Sequence, residues 1–274
     1  MERAFRIEAS KKVLEVFKQG YYYAGAQRVD VSPLHQATIR GVKLYEPLSF
    51  ETLALPSPST AKAKCKMAAL GTVEALQKLR KDGSTFGILN FASARKPGGG
   101  FLNGAIAQEE CLSQSSNLYQ SLLEAPKFYE KNKANVSSIY LDYMIYSKGV
   151  VFIRDDTGPF WRTLLTANVL TVPAVNMGQY IAKGIGPVKD AQNAMKSRIS
   201  KLLRAFAAEG DKRLILGAFG CGVFKNEPAL VSSFFKDALE GEGLAHYFDE
   251  IYFAIPGCTS YNFRAFEKIF GDAQ

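Results

Sequence analysis

Residues that bind metals and form disulfides are scarce in this chain of 274 residues, which has two histidines and four cysteines. His35 and His246 lie at metal-ligand spacing from no cysteine or carboxylate, so we expect neither a metal site nor another cofactor. The cysteines form no Cys-x-x-Cys pair and are scattered, at Cys65, Cys111, Cys221 and Cys258. A chain of this length needs no disulfide to fold, and we expect reduced thiols.

Long apolar segments, internal repeats and linkers are missing as well. No apolar run is long enough to cross a bilayer, and the first residues lack the charged and apolar regions of a signal peptide. We therefore expect an intracellular protein, cytoplasmic or nuclear, that does not bind membranes. The 47% of hydrophobic residues can bury a large core. We expect a monomer with one domain over residues 1–274, in which residues 1–60 form an integrated N-terminal cover segment.

The net charge of +8 and the pI of about 9.2 favour an anionic partner without identifying it. The lysines are dispersed in short runs, as in Lys62–Lys66 and Lys127–Lys133, and aromatic residues do not alternate with them. That pattern is typical of solvated faces rather than of a nucleic-acid surface. We expect no specific DNA binding.

The stretch from Phe86 to Leu123 is the most informative part of the chain. Phe86–Phe91 is nearly all apolar, which indicates a central strand covered on both faces. Three successive glycines, Gly98 to Gly100, then allow a tight turn in which backbone N–H groups approach a ligand. From Gln108 to Leu123 apolar residues recur every three or four positions, which predicts one helix. The order is strand, glycine loop and helix.

Glu109 and Glu110 fall in the first turn of that helix, beside the glycine loop. Acidic residues at a helix start commonly serve only to complement the helix dipole, worth roughly 0.3–1 kcal/mol. Adjacent helical residues lie about 100° apart, so two such carboxylates cannot flank a bond from opposite sides as an ordinary glycosidase pair does. If both are functional, they must have different roles.

The rest of the chain repeats the alternation of short apolar runs and amphipathic helices. Predicted strands are 29–31, 38–44, 149–153, 168–172, 214–219 and 251–255, and the other predicted helices are 6–19, 67–80, 191–208 and 261–270. In helix 191–208 we place Lys196, Arg198, Lys201 and Arg204 on a solvated face. This order predicts an α/β fold with helices on both faces of a largely parallel sheet. The loops 95–108 and 220–226 should face each other at the carboxyl ends of the strands.

The sequences of these segments resemble those of a known protein family. PGGGFLNGAIAQEE resembles the signature of the poly(ADP-ribose) glycohydrolases, a glycine triplet followed by Gln-Glu-Glu, in the microbial-type form. NFASARKPGGG, SSNLYQSL, GVVFIRDD, VLTVPAVN and LGAFGCGVFKNEP occur in the family's order, so the resemblance runs from about Tyr21 to the C-terminus. One departure is Phe219, where the microbial-type pattern has tryptophan.

The resemblance implies a macrodomain with a mixed, mostly parallel sheet and an N-terminal helical extension. It implies hydrolysis of the ribose–ribose bond of poly(ADP-ribose), from chain ends, with ADP-ribosylated proteins as further partners. Glu110 would be the general acid and Glu109 would anchor ribose hydroxyls. Substrate contacts would come from Gly98, Gly99, Gly100, Asn103, Gln108, Gly220, Cys221, Gly222, Val223 and Phe224.

From the residues alone, two simpler interpretations remain open. Phe224 is either a ribose contact or a loop aromatic that fills the core, and Asn103 is either a ribose ligand or a left-handed turn residue. A macrodomain that binds ADP-ribose or its polymer without cleaving it is the alternative function. Such a protein needs the glycine loops but no positioned acid, so the Glu109–Glu110 pair favours the enzyme.

Overall fold

The computed structural model describes residues 2–80, 83–155 and 158–271. Asp156, at the end of the segment GVVFIRDD, lies outside these ranges. The strands of the described chain are β1 (Tyr21–Ala24), β2 (Gln27–Asp30), β3 (Val42–Tyr45), β4 (Lys64–Ala68), β5 (Gly87–Phe91), β6 (Met144–Phe152), β7 (Leu165–Val172), β8 (Arg213–Leu216) and β9 (Glu250–Ala254). Its α-helices are α1 (Arg3–Gln19), α2 (Ser32–Arg40), α3 (Thr72–Leu79), α4 (Gln108–Ser115), α5 (Leu118–Leu123), α6 (Pro126–Ala134), α7 (Met177–Ala182), α8 (Val188–Ala208), α9 (Pro228–Lys236) and α10 (Tyr261–Phe270).

One seven-stranded sheet organises the fold, in the order β3-β6-β7-β5-β8-β9-β4, with β5 at its centre. The β5/β7, β5/β8, β8/β9 and β4/β9 pairs are parallel, and the β3/β6 and β6/β7 pairs are antiparallel. The prediction of a mixed, mostly parallel sheet is therefore confirmed. A separate two-stranded hairpin joins β1 to β2.

Helices cover both faces of the sheet. Consecutive residues of a strand point to opposite faces, and Ile88 and Leu89 accordingly belong to different hydrophobic clusters. The Leu89 cluster includes the apolar faces of α8, α9 and α10, and the Ile88 cluster includes those of α3, α4, α5 and α6. The near-continuous apolar sequence of β5 is thus explained by burial on both sides.

The N-terminal segment packs over the end of β6. Val13 and Phe17 of α1 form a third cluster with Val29 of β2 and with Val151 and Ile153. Gly20 follows α1 in the left-handed conformation at φ 86°, which confirms the predicted stop. No helix of the described chain is long and apolar enough to cross a membrane. The assignment of residues 1–274 to one domain stays a prediction.

The predicted helix 108–123 is interrupted, so that expectation was wrong in part. Ser116 is extended, at φ −151° and ψ −179°, and it separates α4 from α5. Asn117 pairs with β6 instead: its Oδ1 accepts from Val151 N at 2.8 Å, and its own N–H donates to Val151 O at 3.2 Å. Short polar side chains that bind nearby backbone compete with helix formation, which explains the break at this position.

Residues 38–40 and 67–68 were assigned to the wrong kind of element. Residues 38–40 end α2 rather than begin a strand, because Pro33 favours a helix start and buried Thr38 donates back to Leu34 O at 3.0 Å. Residues 67 and 68 belong to β4, the edge strand beside β9, and α3 begins only at Thr72, after Gly71. The alternation of lysine and apolar residues in Lys64–Ala68 is a strand pattern.

Arg198 does not belong to a solvated face, which corrects the prediction for α8. Its side chain is buried and donates from Nε to Asp142 Oδ1 at 2.8 Å. Its two terminal nitrogens donate to three carbonyl oxygens, those of Ile139, Tyr140 and Pro173, at 2.8, 3.2 and 2.9 Å. Arg198 therefore joins α8 to the loops before β6 and after β7.

Candidate active site

The carboxyl end of β5 carries the first part of the site. Gln108, the first residue of α4, bonds to this strand through its side chain: Oε1 accepts from Phe91 N at 2.8 Å, and Nε2 donates to Leu89 O at 2.8 Å. The Gln108 carboxamide thus bonds to the backbone of β5 in the way that a residue of a neighbouring strand would. Its polar atoms are thus bonded within the protein, and the next two residues of α4 are placed against the end of the central strand.

Glu109 is buried, with 2% of its surface exposed. Its carboxyl group accepts from Ser93 N at 2.7 Å and from Asn90 Nδ2 at 3.3 Å. The pKa of Glu109 is raised to about 8, mainly by burial and also by the charge of Glu110, although the hydrogen bonds from Ser93, Asn90 and Gly98 lower it. Glu109 therefore holds a proton at neutral pH.

Glu110 lies beside it, 8% exposed, and its Oε1 accepts from Gly100 N at 2.8 Å. The two acids occupy the first turn of α4, as the sequence predicted. One carboxyl oxygen of Glu110 is held by the glycine loop, which leaves Oε2 to interact with a ligand.

The glycine triplet lies directly against these two carboxyl groups. Gly98 and Gly99 have φ values of 64° and 61°, which favour glycine. A Cβ at residue 99 would overlap Glu110 Oε1 and lie 3.1 Å from Glu109 Oε2. Gly99 N donates to Lys96 O at 3.0 Å and Gly100 N donates to Glu110, so two amides of the triplet have acceptors within the protein. The triplet thus allows close approach of backbone to the glutamates, and its contact with substrate stays a prediction.

The second loop follows β8, the parallel neighbour of β5. Gly220, at φ 72°, sits so tightly that a Cβ there would lie 2.6 Å from that of Ala174. Asn226 closes the loop, because its buried Nδ2 donates to Gly220 O at 2.9 Å and to Val175 O at 2.7 Å. Sequence reasoning gave no role to Asn226; its position at the end of a glycine turn is the available signal.

Three consecutive amides of this loop are free to bind a ligand. In the described part of the chain, no group accepts a hydrogen bond from the N–H of Gly222, Val223 or Phe224. Gly222 and Val223 are exposed, and Lys225, the next residue after Phe224, has a left-handed φ of 56°. Successive N–H groups in such a turn form a concave anion-binding nest.

Phe224 is half-buried against Tyr140, a residue that sequence reasoning missed. Their ring centroids lie 6.1 Å apart, and Phe224 O accepts from Gly178 N at 3.0 Å. Tyr140 has a φ of 59°, unusual for an aromatic residue, and its carbonyl is one of those held by Arg198. Tyr140 lies in the irregular segment between α6 and β6, where no periodicity indicates which side chains face the site.

The two remaining predicted contacts have distinct surroundings. Cys221 is half-buried, and burial raises the pKa of its thiol to about 12, so it is no nucleophile at neutral pH. Asn103 is exposed in the short 3₁₀ turn Phe101–Asn103, and its carbonyl accepts from Arg3 Nε at 2.9 Å.

The strands bring both loops to one edge of the sheet. β5 and β8 are adjacent and parallel, and the rings of Phe91 and Phe219 lie 5.7 Å apart where these strands end. Phe219 is fully buried, so the residue that departs from the family pattern packs beneath the loops. The arrangement combines a turn that has three free backbone N–H groups with a buried carboxyl pair in which the pKa of Glu109 is raised. Within the described ranges, no group of three or more histidine, cysteine or acidic residues is placed to hold a metal ion.

Comparison with protein families gives a match to "Microbial-type PARG, catalytic domain" over residues 10–155. Among curated proteins no match is found. Among solved structures, the poly(ADP-ribose) glycohydrolase from Thermomonospora curvata is similar at a TM-score of 0.89 and 34% identity, covering 97% of this chain and 99% of that chain.

Ligand complexes are among the similar structures. The Thermomonospora curvata enzyme bound to the inhibitor ADP-HPD has a TM-score of 0.88 and 33% identity, covering 97% of this chain and 99% of that chain. The Deinococcus radiodurans poly(ADP-ribose) glycohydrolase in complex with ADP-ribose has a TM-score of 0.80 and 34% identity, covering 88% of this chain and 98% of that chain.

Proposed function

Because the chain belongs to the family of microbial-type poly(ADP-ribose) glycohydrolases, we propose that it hydrolyses the ribose–ribose O-glycosidic bond of poly(ADP-ribose) and releases ADP-ribose. The observation that carries the proposal is the buried pair Glu109–Glu110 held by β5 and the glycine triplet. A protein that only binds ADP-ribose has no need to bury two carboxyl groups beside its ligand loop, since burial of charge is costly.

Glu110 is the general acid that protonates the departing ribose oxygen. Its Oε1 is fixed by Gly100, so Oε2 delivers the proton. A general acid must be protonated near neutral pH, and the raised pKa of Glu109 keeps one proton on the pair there. When substrate binds, this proton passes from Glu109 to Glu110, so that Glu110 can donate it to the departing oxygen. Glu109 is then a carboxylate, which accepts hydrogen bonds from ribose hydroxyls and so orients the scissile oxygen towards Glu110.

Cleavage leaves an oxocarbenium-like ribose, which water attacks. Glu110, now a carboxylate, removes the proton from this water, so one residue acts first as acid and then as base. The two acids are neighbours on one helix and cannot act from opposite faces of the sugar, which supports this sequence over the usual two-sided arrangement.

The second loop holds the diphosphate. The free amides of Gly222, Val223 and Phe224 supply three N–H donors, and the ring of Phe224, supported by Tyr140, packs on the distal ribose. Because the second loop binds the diphosphate, the main role of Gly98–Gly100 is to position Glu109 and Glu110. We further propose that cleavage proceeds from chain ends, on polymer carried by ADP-ribosylated proteins, and that the enzyme acts as a monomer.

Incubation with poly(ADP-ribose) of defined length, followed by separation of products, tests the proposal. We expect release of ADP-ribose by the parent protein and a loss of turnover of about 10²- to 10⁴-fold in Glu110→Gln, with ADP-ribose affinity retained. Glu124→Gln, at an exposed glutamate after α5, is the matched control and should match the parent.

Two results would contradict the proposal. Intact polymer retained by the parent protein would identify a binding protein instead of a hydrolase. Turnover of Glu110→Gln within about threefold of the parent would remove Glu110 from the role of acid, since a positioned proton donor contributes far more than that.

A further inference from the structure

Helix α1 is bonded to the turn that precedes the two glutamates. Three of its side chains donate to backbone carbonyls there: Arg3 Nε to Asn103 O at 2.9 Å, Arg6 Nε to Gly104 O at 2.7 Å, and Ser10 Oγ to Phe101 O at 2.9 Å. Carbonyl oxygens at the end of a helical turn carry partial negative charge, which suits guanidinium donors. The N-terminal segment thus directly contacts the loop 95–108, which leads into Glu109 and Glu110.

The contact between α1 and this turn is close. Gly104 has a left-handed φ of 70°, and a Cβ at this residue would lie 2.7 Å from Arg3 O and 3.2 Å from Ile7 Cγ1. Any larger residue would push the turn away from α1. The turn therefore packs directly against α1.

Two further hydrogen bonds connect this turn to Glu110. Ala105, which follows Gly104, donates from its N–H to Gly100 O at 3.2 Å. Gly100 in turn donates to Glu110 Oε1 at 2.8 Å. The path from Arg6 to the carboxyl group of Glu110 is therefore a continuous series of three hydrogen bonds joined by short backbone segments.

A second connection ties α1 to the helix that carries the glutamates. Buried Arg154 donates from Nη2 to Ala9 O at 3.3 Å and from Nε to Gln114 O at 2.9 Å, near the end of α4. Hydrogen bonds thus connect α1 both to the turn before α4 and to the end of α4. These connections make rotation of Glu109 and Glu110 relative to the cleft less favourable.

We infer that Arg6 is a positioning residue for catalysis, which acts through Gly104, Ala105 and Gly100 to hold the carboxyl group of Glu110. The inference rests on the proposed function. A shift of about 1 Å in a reacting group can reduce turnover by about 10²-fold. The free amides of residues 222–224 lie on the other loop, so ADP-ribose affinity does not depend on Arg6.

Three variants test the inference. Arg6→Ala removes the donor to Gly104, Arg6→Lys retains one donor on a long side chain, and Lys12→Ala removes the same charge from an exposed position of α1. We expect kcat on poly(ADP-ribose) to fall by about 10- to 100-fold in Arg6→Ala, with the Kd for ADP-ribose within about twofold of the parent. Arg6→Lys should recover most of kcat, and Lys12→Ala should equal the parent.

A second readout does not depend on turnover. In protein labelled with ¹³C at the glutamate carboxyl carbon, the signal of Glu110 should shift in Arg6→Ala and stay in place in Lys12→Ala. This keeps the inference separate from the proposed function, which fails if the parent protein releases no ADP-ribose.

The inference is overturned by parent-like kcat in Arg6→Ala, by an unmoved Glu110 signal, or by equal losses in Arg6→Ala and Arg6→Lys. It is also overturned if titration with ADP-ribose shows that the lost activity equals the fraction of unfolded protein. A loss of that kind would mean that α1 only stabilises the fold.

Discussion

Replacing Glu109 with glutamine should make the protein less sensitive to rising pH. Burial raises the pKa of Glu109 from its ordinary value of 4.5 to about 8. Between these two values the folded state binds a proton that the unfolded state has released, so the stability of the parent falls as pH rises through this window. Above about pH 8 both states are deprotonated at this residue, and the loss is complete.

The size of the effect follows from the width of that window. One pKa unit corresponds to about 1.4 kcal/mol, so the change in unfolding free energy across the window is at most about 5 kcal/mol. Glutamine keeps the volume and an oxygen for Ser93 N, and it gives up only the long 3.3 Å bond from Asn90 Nδ2. Rotation of the Asn90 carboxamide would bring Oδ1, a buried oxygen without a partner in the described chain, to accept from the new N–H₂ group. The substitution therefore removes the titration and retains the packing.

Urea unfolding of parent, Glu109→Gln and Glu124→Gln between about pH 5 and pH 9 measures this difference. We expect Glu109→Gln to gain several kcal/mol relative to the parent as pH rises to 8, and Glu124→Gln to follow the parent. Asp211, whose pKa is raised by burial to about 6, titrates equally in all three proteins and cancels in the comparison. A difference between parent and Glu109→Gln that is constant with pH would refute the argument.

Two substitutions separate the roles of the two loops. Gly99→Ala places a Cβ against Glu110 Oε1 at a left-handed φ. We therefore expect kcat in steady-state assays to fall by about 10²-fold, with ADP-ribose affinity nearly unchanged. Equal losses of kcat and affinity would instead mean that the triplet binds the diphosphate. Phe224→Ala should reduce kcat more than affinity, because the amide donors of its loop remain. If Phe224 is instead a core residue, unfolding curves will show a loss of about 3–5 kcal/mol with unchanged kcat per folded molecule.

The sequence was sufficient for the central strand and for the position of the acids. Phe86–Phe91 is apolar at nearly every residue, a pattern that fits burial on both faces, and β5 occupies the middle of the sheet. The first-turn position of Glu109 and Glu110 followed from the periodicity of the residues after them. These features depend on local pattern, which is why they could be predicted.

Arg198 shows what local pattern can miss. Its charge suggested a solvated face, yet its spacing, three residues after Met195 and four before Leu202, matches the buried face of α8. What permits burial is a set of acceptors more than 20 residues away in sequence, among them Asp142 and Pro173. A buried guanidinium is tolerated only with such partners, and one sequence does not reveal them.

The protonation state of Glu109 depends on two opposing effects, the helix N-terminus and burial. The sequence alone does not show which of the two is larger. The N-terminus of a helix as short as α4 stabilises a carboxylate by about 0.3–1 kcal/mol, which lowers a pKa by less than about one unit. Burial of Glu109 acts the other way and is larger, since its pKa rises to about 8 despite the helix start and the bond from Ser93 N. Burial therefore decides the protonation state, and the glycine triplet contributes to it by letting backbone approach the carboxyl group closely. A larger residue in the triplet would open this cover, admit water and lower the pKa, so the glycines and the retained proton form one functional unit.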